Sequence, residues 1–156
     1  MLGALGVACL LGAWSVAFSE SVPSIEPTIA DERFVRAAND VCRPVQERLV
    51  DRAGGSNDEA SDPERAAAVS EVVSALDAMV ADLGALRPAA ADQGEVERWL
   101  GAWRGVLESG RATAAALREG DGESVEDAAD AGQAPARAVN RFAQANGLRW
   151  CATRFG

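Results

Sequence analysis

The chain has no histidine, no lysine and no tyrosine among its 156 residues. Without histidine it lacks the side chain that most often serves as general base, transition-metal ligand and switch near neutral pH. Glu-x-x-His pairs, the usual metal donors of helical bundles, are therefore excluded. All 15 basic residues are arginine, set against 24 acids, for a net charge of −9. That balance leaves no basic surface to offset phosphate repulsion, which excludes a nucleic-acid reader. It equally excludes docking on anionic lipid through a polybasic patch. No GxSxG, Walker or dinucleotide fingerprint occurs. The acidic stretch Asn57, Asp58, Glu59, Asp62 and Glu64 lacks the alternating ligands and turn glycine of a calcium-binding loop. It reads as a solvated loop leading into a helix. No metal or cofactor is expected, and an enzyme ranks last among the functional classes.

Charge is also missing from Leu2 to Phe18, an apolar run whose first charged successor is Glu20. As a helix it would span roughly 26 Å, just under a typical hydrocarbon core. A cleaved secretory signal, with Ala17-Phe18-Ser19 as the site, competes with an uncleaved anchor and with a buried core helix. The run is apolar all round, which favours export by signal or anchor over the core helix. Val7-Ala8-Cys9 is only partly lipobox-like, because Gly6 stands where a large aliphatic residue is expected. Residues 1–19 are thus assigned to a signal peptide or transmembrane anchor. Residues 20–30, rich in serine and proline, form a linker, and residues 31–156 form the domain.

Helical periodicity fills that domain, and no strand-like alternation stands out. The organising stretch is Asp31 to Arg52, where Phe34, Ala38, Val41, Val45 and Leu49 form one apolar stripe. Pro44 lacks the N–H that would bond the Asp40 carbonyl, so a kink is expected beside Cys42. A second helix starts at Asp62-Pro63, an N-cap acid followed by proline, and closes at Arg87-Pro88. A third opens at Asp92 with Glu95 completing a capping box, and ends at Gly120. Its apolar face carries Val96, Trp99, Leu100, Trp103 and Leu107. The fourth follows Asp121, with Gly132 and Pro135 predicting a bend or short break near Gln133 to Pro135. Asn146-Gly147 then stops it, with Leu148 folding back. Short connections between successive helices favour an all-α, antiparallel up-down four-helix bundle.

Two cysteines lie in the domain, Cys42 and Cys151. Cys42 falls roughly 16 Å above the start of its helix. Cys151 follows the Gly147 reversal by a reach of roughly 13 Å if extended, so the two can meet at one height. A disulfide between them is the expectation, and it suits an exported chain. The competing reading, a redox-active pair, lacks a CxxC arrangement and an activating histidine or lysine.

A set of short motifs accompanies these cysteines. It comprises Ala38-Asn39-Asp40-Val41-Cys42, the segment LGALRP, Val96 to Leu100, and Asn146 to Cys151 in the form Asn-Gly-Leu-x-x-Cys. The pattern resembles a group of small actinobacterial exported proteins to which no function is assigned. The resemblance covers most of the chain after residue 33. It implies a secreted or anchored helical bundle with a disulfide, and no activity; Pro44 and Pro135 depart from the pattern.

The functional expectation is a non-enzymatic extracytoplasmic domain that contacts a protein or cell-envelope partner, reaching a membrane only through residues 2–18 if they stay uncleaved. The alternative is a small-ligand binding or sensing bundle with Trp99 and Trp103, one turn apart, as pocket walls. Such a pair more often fills a core.

Overall fold

A computed structural model describes residues 28–53 and 60–153. The apolar run 2–18 with Cys9, most of the linker, and Asn57, Asp58 and Glu59 of the acidic loop lie outside the described residues. Four helices make up the rest: α1 (Glu32–Ala53), α2 (Asp62–Ala85), α3 (Gln93–Glu119) and α4 (Gly122–Ala145). They pack against one another, and no strand occurs among the described residues. Nor is any helix among them long and apolar enough to cross a membrane.

The centre of the packing is α3, which lies against α2 on one side and α4 on the other. Its buried face carries Val96, Trp99, Leu100, Trp103, Leu107, Ala114, Ala116 and Leu117. Each large side chain buried in this way contributes roughly 1.5–3 kcal/mol. Contacts pair residues in opposite chain senses across both interfaces. On the α2 side Val73 faces Gly110 and Ser70 meets Arg118. On the α4 side Pro135 faces Gly105 and Gly132 faces Ser109. A Cβ at Gly110 or Gly132 would collide with the facing Val73 or Ser109 side chain, and one at Gly105 would press tightly on Pro135, so these helices approach closely. Ser109 adds a hydrogen bond from its hydroxyl to the Ala128 carbonyl at 2.7 Å.

By contrast α1 is loosely joined to the other helices. Among the described residues its backbone comes within 8 Å (Cα–Cα) of α2 alone. It still contributes Phe34, Ala38, Cys42 and Val45 to the shared core, where Leu148 and Cys151 of the C-terminal segment also sit.

Helix ends follow local chemistry, with three corrections to the sequence reading. The N-cap of α2 is Ser61 rather than Asp62. The Glu64 carboxylate accepts from the Ser61 N–H at 2.8 Å and from its hydroxyl at 2.6 Å. Asp92 precedes α3, but its side chain caps nothing in that helix. Glu95 pairs instead with Arg98. Finally, α4 runs as one helix through Gly132 and Pro135, so of the expected bend or short break the break is absent. Gly132 and Pro135 both sit on the α3 interface, and tertiary packing there outweighs the missing N–H. Likewise α1 is continuous through Pro44.

The two glycine stops take the expected left-handed form. At the end of α3, Gly120 has φ 68° and Asp121 N–H reaches back to the Ala116 carbonyl at 3.1 Å. At the end of α4, Gly147 has φ 65° and Leu148 N–H reaches the Ala143 carbonyl at 2.8 Å. Both satisfy terminal carbonyls in the Schellman manner, and Leu148 is fully buried by the reversal.

Candidate functional site

The reversal at Gly147 lays residues 146–153 alongside α1, and there the chain's polar and sulfur chemistry converges. Cys42 and Cys151 form a disulfide with a Cα–Cα distance of 5.2 Å, closing a sequence separation of 109. Neither cysteine has measurable exposure. The pair expected from the sequence is thus present, sealed inside the core.

Side-chain amides flank the disulfide above and below. Asn39 donates to the Gly147 carbonyl at 3.0 Å and accepts from the Trp150 N–H at 3.1 Å. One turn beyond Cys42, the buried Gln46 donates to the Ala152 carbonyl at 3.1 Å. Asn146 accepts from the Ile29 N–H at 2.5 Å, tying the approach to α1. From the other flank, Asn140 of α4 accepts from the Thr153 N–H at 2.6 Å and from its hydroxyl at 3.1 Å. Irregular backbone must find partners when buried, and here amide side chains supply them. The C-terminal segment therefore forms a clasp that joins α1 to α4. The quoted motifs around Asn39-x-x-Cys42 and Asn146-Gly147-x-x-x-Cys151 are its two halves. Gln46 and Asn140 escaped the sequence reading. Gln46 carried a weak signal, being one turn after Cys42 on the same face.

A second polar cluster fixes the start of α1. The Asp31 carboxylate accepts from Phe34 N–H at 3.2 Å and Arg33 N–H at 3.0 Å, capping its own helix. Its other oxygen accepts from Ala89 N–H at 3.1 Å. The Phe34 N–H bond leads in holding the Asp31 carboxyl below its ordinary pKa of 3.8; burial opposes it, and the Arg33 and Ala89 N–H groups assist. Glu64 lies below its ordinary 4.5 chiefly through the Ser61 hydroxyl, and Asp121 below 3.8 chiefly through the Ser124 hydroxyl.

Trp99 and Trp103 are 2 % and 0 % exposed, so they fill the core between α3 and its neighbours. Trp99 stacks on Phe142 with ring centroids 5.4 Å apart. Neither indole N–H has a hydrogen-bond partner among the described residues. Two open clefts lie elsewhere. One, of about 290 Å³, is lined by Asp31, Phe34, Leu86 and Arg87 among others; the second, of about 370 Å³, lies at the α3–α4 turn beside Asp62 and Arg65. No group of histidine, cysteine, aspartate and glutamate able to hold a metal is found among the described residues.

No protein-family profile, curated protein or solved structure matches this chain.

Proposed function

We propose that the chain is a non-enzymatic extracytoplasmic domain: an antiparallel up-down four-helix bundle, secreted or anchored through residues 1–19, that engages a protein or cell-envelope partner. The observation that carries this reading is the fully buried Cys42–Cys151 disulfide. Structural disulfides persist in oxidising compartments and are rare where cellular thiols keep cysteines reduced. The charge-free run Leu2 to Phe18 and the resemblance to small actinobacterial exported proteins favour the same compartment.

Intact mass of the native protein, alkylated without reduction and taken separately from membrane and medium, tests the compartment. A species in the medium beginning at Glu20 with both domain cysteines blocked supports secretion. The full-length chain in the membrane fraction, similarly blocked, supports an anchored ectodomain. Free Cys42 and Cys151 thiols in the native protein would remove the basis for export. Cross-linking on intact cells then identifies the partner, and recovery of cytoplasmic proteins alone would refute the reading.

One observation favours the alternative of a small-ligand bundle: the two buried indole N–H groups have no acceptor among the described residues. A ligand offering acceptors there would quench or shift tryptophan emission, with loss of the response in Trp103→Phe. An unchanged spectrum across a broad library of polar small molecules would dismiss that alternative.

A further inference from the structure

We propose that α1 is a separately opening unit, strapped onto a three-helix core of α2, α3 and α4 by the C-terminal segment through the Cys42–Cys151 bond, so that a dithiol reductant releases α1 without unfolding the core. The inference concerns a conformational device and does not depend on the identity of a partner.

Three observations place the weak seam here. First, among the described residues the α1 backbone comes within 8 Å (Cα–Cα) of α2 alone, whereas α3 is packed on both sides. Second, the fully buried apolar side chains of α1 are Phe34, Ala38, Cys42 and Val45, with Val35, Val41 and Leu49 only partly buried against the same core. Of the fully buried ones only Phe34 and Val45 are sizeable, while α3 alone fully buries two tryptophans and three leucines. Twenty-two ordered residues carry a large conformational-entropy cost against so little burial. Third, beyond its start, where Asp31 is tied to Ala89 and Asp92, the polar and covalent attachments of α1 run to residues 146–153, through Asn39, Gln46 and the disulfide. The interface that would hold α1 to α4 in a regular bundle is thus made by a strap, and a single covalent bond closes that strap.

Release balances as ordinary thiol–disulfide exchange. One thiolate of the dithiol attacks a sulfur of the Cys42–Cys151 bond and expels the other cysteine as thiolate, which takes up a proton. The second dithiol sulfur then attacks the mixed disulfide, leaving two protein thiols and an oxidised, cyclic reductant. Both sulfurs are inaccessible in the closed state, so the strap must open transiently before attack. Oxidation in turn re-forms the bond only when α1 is docked. Opening would uncover Phe34, Ala38, Val45 and Leu148 together, an apolar face absent from the closed surface.

Hydrogen exchange read by mass spectrometry on the full chain tests the proposal, comparing the oxidised protein with dithiothreitol-reduced, thiol-alkylated protein and with a Cys42→Ser/Cys151→Ser variant. Amides of α1 and of 146–153 should exchange about tenfold faster or more in both reduced forms, while α3 stays within about twofold of the oxidised protein. Equal acceleration across α1 to α4, or collapse of the reduced chain as a whole, would overturn the proposal by showing one cooperative unit. Unchanged protection of α1 in the variant would overturn it by showing that the bond does not govern docking.

Discussion

Asp31 and Asp92 brace one another across the start of the bundle: the backbone N–H of Asp31 donates to the Asp92 carboxylate at 3.0 Å, while the Asp31 carboxylate accepts from Ala89 N–H at 3.1 Å. Asp92 is only 6 % exposed, so its carboxylate is spent on a neighbouring element and not on its own helix. Asp92→Ala would orphan the Asp31 N–H. The expected cost is about 1–3 kcal/mol, measured as a lower urea midpoint at unchanged slope. Glu97→Ala, on the exposed face of the same helix, serves as control and should stay within about 0.5 kcal/mol. Equal midpoints for the two variants would refute the brace.

Acid sensitivity follows from three carboxylates. Asp31, Glu64 and Asp121 are each held below their ordinary values of 3.8, 4.5 and 3.8 by N–H or hydroxyl donors present only in the folded chain. The unfolded chain therefore binds protons more readily at these sites, and stability rises with pH through this window. Their contribution is complete above about pH 5 and is lost as pH falls through the depressed folded values. Asp31→Asn, Glu64→Gln and Asp121→Asn combined should flatten the decline of stability between pH 5 and pH 3. A triple variant with the original slope would assign acid sensitivity elsewhere.

Breaking the disulfide should cost about 2–5 kcal/mol, since it spans most of the domain and constrains the unfolded chain. Guanidinium unfolding with and without reductant measures this. A coincident pair of curves, with reduction confirmed by thiol counting, would mean that the amide contacts of Asn39 and Gln46 suffice without the bond.

The four helices were legible because each carries its own apolar stripe and punctuation. Asp121 before α4, Gly120 after α3 and Gly147 after α4 act within a turn of themselves, so sequence spacing reveals them. The cysteine pair was legible from helical rise in α1 together with the reach of the chain after the Gly147 reversal. Asp92 was misread because its partner, the Asp31 N–H, lies 61 residues away, a relation no local pattern carries. Of the bend or short break expected at Pro135, the break is absent for a similarly long-range reason. The Pro135 ring sits against Gly105 with an ideal Cβ there only 3.0 Å from the proline, so packing on α3 keeps α4 continuous where local propensity argues for a break. The tryptophans were placed correctly on the apolar face of α3, and the clasp residue Gln46 was missed because its spacing from Cys42 does not reveal an acceptor 106 residues away at the Ala152 carbonyl.

Close approach of α3 and α4 makes opposite forecasts for two glycines with the same local setting. Both Gly101 and Gly132 lie inside long helices, where glycine is destabilising by about 0.5–1 kcal/mol relative to alanine. A Cβ at Gly101 meets nothing within 4 Å, so Gly101→Ala should raise the melting temperature by recovering that difference. A Cβ at Gly132 runs into Ser109, whose Cβ would lie 3.0 Å away and whose hydroxyl is closer still. That hydroxyl is already committed to the Ala128 carbonyl, so rotating it away sacrifices a hydrogen bond. Gly132→Ala should therefore destabilise by about 1–3 kcal/mol, the usual cost of overpacking. Pairing it with Ser109→Ala relieves both the collision and the committed hydroxyl, and should recover much of the loss. Thermal unfolding of the three variants decides the matter: a stabilised Gly132→Ala would mean that the two helices separate readily, and the close α3–α4 interface could not be the rigid spine on which α1 is strapped.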